Sequence, residues 1–179
     1  GRPVDYPWQS GGKDRPGERE AAIWLRENPH RIHLGMIGLQ ILKEDGSEIT
    51  IRDINENVQK LNMWTGEIES RFKVEGVPVL VTTVCHPDQD MIAARIESDL
   101  IKDNRLKVKI HFPLGIPLPA GYDFNFPDKH ITNILSENNG EILFERIQDN
   151  DRYYVKVQHK GGTLKKTDPH LFMISHTGE

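Results

Sequence analysis

Cysteine occurs once in this 179-residue chain, as Cys85. A lone thiol excludes an internal disulfide framework and a multi-cysteine zinc site. Long apolar runs are missing as well, and nothing approaches the roughly 18 residues of a membrane-spanning helix. An excess of charge of one sign is also lacking. The 23 Lys and Arg residues stand against 27 Asp and Glu, a net charge of -4. The basic residues are scattered among acids rather than gathered into the stripe that nucleic-acid binding requires. No Gly-x-Ser-x-Gly, no phosphate loop and no His-Glu-x-x-His is present, so no familiar nucleophile, nucleotide or zinc signature is available, and no motif calls for a cofactor.

What is there reads as strands. Residues 1–16 are rich in Pro, Gly and charge and form an irregular arm. Pro16, with Asp14 as a cap, opens one short helix over residues 17–28, which Pro29 ends. After Arg31 the pattern changes. Residues 67–74 alternate strictly, with Ile68, Ser70, Phe72 and Val74 opposed to Glu67, Glu69, Arg71 and Lys73. Period-two alternation marks a strand with one buried face. Glu75-Gly76 turns the chain into a Val- and Thr-rich return strand over residues 77–85. Residues 91–97 form a further strand. Residues 105–112 alternate again, with Leu106, Val108, Ile110 and Phe112 inward. Weaker strands are predicted over residues 32–42, 48–51, 131–135, 141–147, 153–159 and 171–175. The expected fold is all-β, an antiparallel two-sheet (super-)sandwich with one short N-terminal helix. Residues 1–30 are its arm and helix. Residues 31–179 are the sandwich, cut short where the chain stops after an apolar strand.

The candidate chemistry is sparse. His86, Asp88 and Asp90 share one turn, and the two aspartates offer oxygen ligands to a hard cation, but the calcium-loop glycine and terminal Glu are missing and a polar turn between strands is the favoured reading. Glu67 and Glu69 are the clearest carboxylate pair. They share their face with Arg71 and Lys73, a charge-balanced solvated surface rather than an acid–base site. Cys85 sits among Val and Thr and reads as a small buried hydrophobe. His30 and His33 fall on opposite faces of a strand and share no metal. No catalytic or metal-binding residue emerges. Aromatic rings are the best candidates for sugar contact: Trp8 in the arm, Trp64 at the start of the first hairpin, and Tyr122 and Phe124 in the Pro-rich loop of residues 113–129. Plain packing competes with that reading for each. Trp24, on the short helix, reads as core.

Several stretches together resemble a known family. They are Arg15-Pro16-Gly17-Glu18-Arg19-Glu20, Trp24 to Arg31, Leu61-Asn62-Met63-Trp64-Thr65-Gly66, Val84-Cys85-His86-Pro87-Asp88 and Ala94-Arg95-Ile96-Glu97-Ser98. In this order they look like the N-terminal sandwich of bacterial glycoside hydrolase-like proteins whose catalytic domain is an (α/α)6 barrel, of the maltose phosphorylase-like and rhamnosidase- or fucosidase-like kinds. The resemblance spans roughly residues 2–115. It implies a non-catalytic domain that packs on a helical barrel of the same polypeptide, with the catalytic acid and base on that barrel. Oligo- or polysaccharide is the implied substrate class, and the periplasm or exterior is favoured over the cytoplasm. Two alternatives remain open: a stand-alone carbohydrate-binding module, and a β-sandwich enzyme working from a concave sheet face. The arm and the loop of residues 113–129 are expected either to meet the barrel or to cap the sandwich.

Overall fold

The computed structural model describes residues 33–116 and 121–176. The arm with Trp8, the helix read over residues 17–28 and the chain end at residues 177–179 lie outside the described residues. The remainder is antiparallel β-structure. The strands are β1 (Met36–Ile41), β2 (Ile54–Asn62), β3 (Glu67–Val74), β4 (Val77–Cys85), β5 (Ile92–Glu97), β6 (Leu106–His111), β7 (Leu114–Gly115), β8 (Tyr122–Asp123), β9 (His130–Asn138), β10 (Glu141–Gln148), β11 (Asp151–Gln158), β12 (Thr163–Asp168) and β13 (Leu171–Ser175). The described helical segments are three single 3-10 turns, at Ile51–Asp53, Asp99–Ile101 and Pro127–Lys129.

The strands form four sheets rather than two: a central sheet β1-β6-β13-β12, a sheet β2-β3-β4-β5, a sheet β11-β10-β9 and the small pair β7-β8. The central strand β6 joins two apolar cores. At its end, Ile110 and the adjoining Phe112 pack with Ile142, Phe144, Leu164 and Phe172. At its start, Leu106 packs with Ile41, Val74, Val79 and Leu100. Phe112, Phe144 and Phe172 form a ring cluster, with centroids 4.7 to 6.2 Å apart. Each buried ring contributes about 1.5–3 kcal/mol of transfer free energy and a further increment from its tilted contacts.

Alternation locates β3 and β6 well, and Val and Thr content and a short apolar run locate β4 and β13, but alternation overstates burial in β3. Val74 is fully buried and Ile68 is 36 % exposed. The reason lies in the register. In the four-stranded sheet β2-β3-β4-β5, one face carries Val74 with Val77, then Phe72 with Val79, then Ser70 with Val81 and Ile96. These rows pack on the core or lie beside it. The same face continues outward through Leu61, Ile68, Thr83 and Ala94 to Cys85 and Ile92. There it runs past the core, and Leu61 and Ile92 are more than half exposed. Cys85 therefore corrects the expectation of a buried thiol: it is exposed, because it ends β4 beyond the core.

Two further expectations change. Residues 48–51 are not a strand; Leu42 and Glu48 form one bridge, and Thr50 then caps the turn at Ile51–Asp53. The loop of residues 113–129 is not structureless. Leu114–Gly115 pairs with Tyr122–Asp123, and Pro127–Lys129 forms a turn.

Candidate functional site

The chemistry concentrates where the inner face of β10 changes character. Even-numbered residues of β10 point inward, as alternation requires. Ile142 and Phe144 enter the aromatic core, whereas Arg146 and Gln148, next on that face, are buried and polar. Gln148 ties down the small pair β7-β8: its amide donates to the Gly115 carbonyl and its oxygen accepts from the Gly115 N–H. Arg146 is fully buried. Its register partners are Thr132 on β9 and Tyr153 on β11, so three adjacent strands supply the walls around it.

All five guanidinium N–H groups find acceptors. Nε donates to Tyr153 Oη at 3.4 Å. One terminal nitrogen donates to the Ile131 carbonyl at 2.8 Å and to Thr132 Oγ1 at 2.6 Å. The other donates to the Pro113 carbonyl at 3.3 Å and to His130 Nδ1 at 2.7 Å. Tyr153 in turn donates to the His33 carbonyl. Among the described residues no carboxylate pairs with Arg146. Neutral oxygens, one imidazole and the Phe112 face, 5.2 Å from the guanidinium carbon, hold its charge. A buried cation is tolerated only when its donors are satisfied in this way.

The acceptors also fix the protons on two histidines. His130 and His170 are buried and stacked, with ring centroids 3.7 Å apart. The Pro127 carbonyl can only accept, so His170 Nε2 carries the proton that bridges them at 2.8 Å. Thr132 Oγ1 accepts from Arg146 and donates to His170 Nδ1 at 2.6 Å. His130 Nδ1 accepts from Arg146, which leaves its proton on Nε2. Burial first, then the charges of His170 and Arg146, push the His130 pKa down to about 4. His170 is lowered by burial against a smaller opposing effect of its bond to Pro127. His111 is lowered by burial and by Lys109.

Over this cluster lies a half-exposed aromatic patch. Phe124 stacks on His111 at 4.1 Å, Tyr122 meets Phe124 edge-on at 5.4 Å, and His33 meets Tyr122 at 5.3 Å. Tyr122 and Phe124 are therefore brought together, at 38 % and 41 % exposure. Trp64 is not brought to them. It is almost fully exposed on the turn between β2 and β3, at the opposite end of β3 from the buried Val74. Trp8 lies outside the described residues. The turn with His86, Asp88 and Asp90 closes on itself, His86 Nδ1 accepting from the Asp88 N–H. Among the described residues no three His, Cys, Asp or Glu side chains converge as a metal site would require. Arg71 pairs with Glu69 across the exposed face of β3.

Sequence reasoning missed Arg146, Thr132, His130 and His170. The one available signal was alternation through Ile142, Phe144, Arg146 and Gln148, which sets an arginine on an apolar face. No protein-family model matches the chain, and no curated protein matches it significantly.

Proposed function

We propose that this chain is a catalytically silent accessory sandwich of a carbohydrate-cleaving enzyme, which supports an (α/α)6 catalytic barrel. The observation that carries the reading is the sheet β2-β3-β4-β5. The motif-bearing turns at Trp64-Thr65-Gly66 and His86-Pro87-Asp88 lie at the same end of that sheet, since they join β2 to β3 and β4 to β5. Beside them the core-facing side runs on as an exposed apolar surface through Leu61, Ile68 and Ile92. Contiguous apolar surface on one face of a sheet is a feature of interaction sites, and an accessory domain needs such a surface toward its barrel. The opposite face is charged, with Lys60, Glu69 and Arg95 in one row, as a solvent-facing side should be.

The alternative, a free-standing carbohydrate-binding module, draws on Tyr122 and Phe124, with Trp64 and Trp8 as further contacts. The rings of Tyr122 and Phe124 stand 64° apart, so they do not make the coplanar platform on which a sugar face stacks. An assay separates the two readings. The chain alone should neither hydrolyse aryl glycosides nor bind soluble oligosaccharides in calorimetric titration. Saturable sugar binding abolished by Phe124→Ala would favour the module. Turnover abolished by a single carboxylate substitution in this chain would overturn both.

A further inference from the structure

We propose that the stacked pair His130–His170, with Arg146 and Thr132, is an acid-sensitive latch that holds the aromatic loop of residues 121–129 against the sandwich. The idea stands apart from what the chain binds. Its basis is that both imidazoles have their free nitrogen already engaged. His130 Nδ1 receives an N–H of Arg146, and His170 Nδ1 receives the hydroxyl of Thr132. A proton added to His130 must enter between two donors and drive Arg146 away, for a guanidinium has no acceptor to offer. A proton added to His170 displaces the Thr132 hydroxyl hydrogen, which finds no second acceptor among the described residues. Both protonations also place a cation beside Arg146, and double protonation stacks two cations at 3.7 Å.

The loop feels this because His170 is its anchor: the Nε2–H bond to Pro127 survives protonation, but a ring pushed away from Thr132, Arg146 and His130 carries the loop with it. The turn Pro127–Lys129 is held by the bond from His170 Nε2 to the Pro127 carbonyl. Phe124 leans on His111, whose strand neighbour is Leu171, next to His170. The Lys129 ammonium sits over the Phe126 ring. The surrounding charges do not cancel the effect. Arg146 on β10 opposes protonation of both rings, Lys166 on β12 opposes it at His170, His111 on β6 at His130 and Lys109 at His111, while the Pro127 carbonyl and Asp128 favour it at His170 and Asp168 at His111. The neutral latch is thus complete above pH about 6.5 and opens as the pH falls toward 4.

The test is amide hydrogen exchange of the whole chain between pH 7 and 4, corrected for the intrinsic rate. Residues 121–133 should lose protection by tenfold or more as the pH falls, while β3 and β4 stay protected. The His130→Asn variant places an amide oxygen where Nδ1 was and does not titrate, so it should keep the loop protected to lower pH than the wild type. If loop and strands lose protection together, or if the loop shows no change down to pH 4, the latch is wrong. Should His130→Asn fold poorly, Thr132→Ser, which keeps the hydroxyl, should behave as wild type and Thr132→Val should open the loop already at pH 7. Equal loop protection in Ser and Val variants would also overturn it.

Discussion

His130 and His170 stack 21° from parallel at 3.7 Å, and Thr132 links the second to the same buried arginine that bonds the first. Their folded pKa values lie below the ordinary histidine value, so the unfolded chain binds more protons in acid than the folded one. Stability from these groups is fully present above pH about 6.5 and is lost as the pH falls through the folded value, about 4 for His130. The urea midpoint should be flat from pH 8 to 7 and fall steadily from 6.5 to 4. His130→Asn should show a shallower fall across the same range.

Removing Arg146 should be costly even though no salt bridge is broken. Arg146→Met leaves the Pro113 and Ile131 carbonyls, Thr132 and His130 without their donor in a buried site. Each orphaned group costs about 1–3 kcal/mol. The loss in urea unfolding should exceed about 3 kcal/mol, with Arg146→Lys intermediate because an ammonium offers three donors in place of five.

Phe124 and Phe144 separate a surface ring from a core ring. Phe144 is fully buried and packs on Phe112 and Phe172, so Phe144→Ala should cost about 3–5 kcal/mol. Phe124 is 41 % exposed and rests on His111. Phe124→Ala should cost well under half as much. Equal losses would show the loop acting as a cap on the sandwich.

The strands legible in the sequence are those with strict alternation, β-branched content or a short apolar run. Residues 67–74 are read to the residue because apolar and polar side chains there take turns, 77–85 because they are rich in Val and Thr, and 171–175 because they form a short apolar run. β2 escapes notice because only its first residue, Ile54, is even half-buried, and Asn55-Glu56-Asn57 breaks the pattern at a bulge. β12 escapes because Leu164 is its one buried residue. Periodicity reports burial, whereas pairing also recruits strands with little burial. The buried polar cluster is harder still. An arginine in Glu141–Gln148 reads as solvated until the register sets Thr132 and Tyr153 on either side of it, and His130 and His170 are 40 residues apart in sequence yet stacked in space.

The exposed apolar end of the sheet β2-β3-β4-β5 should be indifferent to polar substitution in the chain alone. Ile92 is 57 % exposed and Leu61 54 %. Ile92→Thr and Leu61→Thr should each change unfolding free energy by no more than about 0.5 kcal/mol, measured by urea titration. A loss above about 2 kcal/mol would mean that something in this chain already covers the face.

The accessory-domain reading is tested most directly by hydrogen exchange at that same face. The amides of Leu61, Ile68, Ile92 and Ala94 should be compared in this chain alone and in a longer protein that joins it to an (α/α)6 catalytic barrel. The account predicts added protection at those four positions in the longer protein, together with glycoside hydrolysis that the shorter one lacks. Unchanged exchange at the face in a longer protein that does hydrolyse glycosides would contradict it.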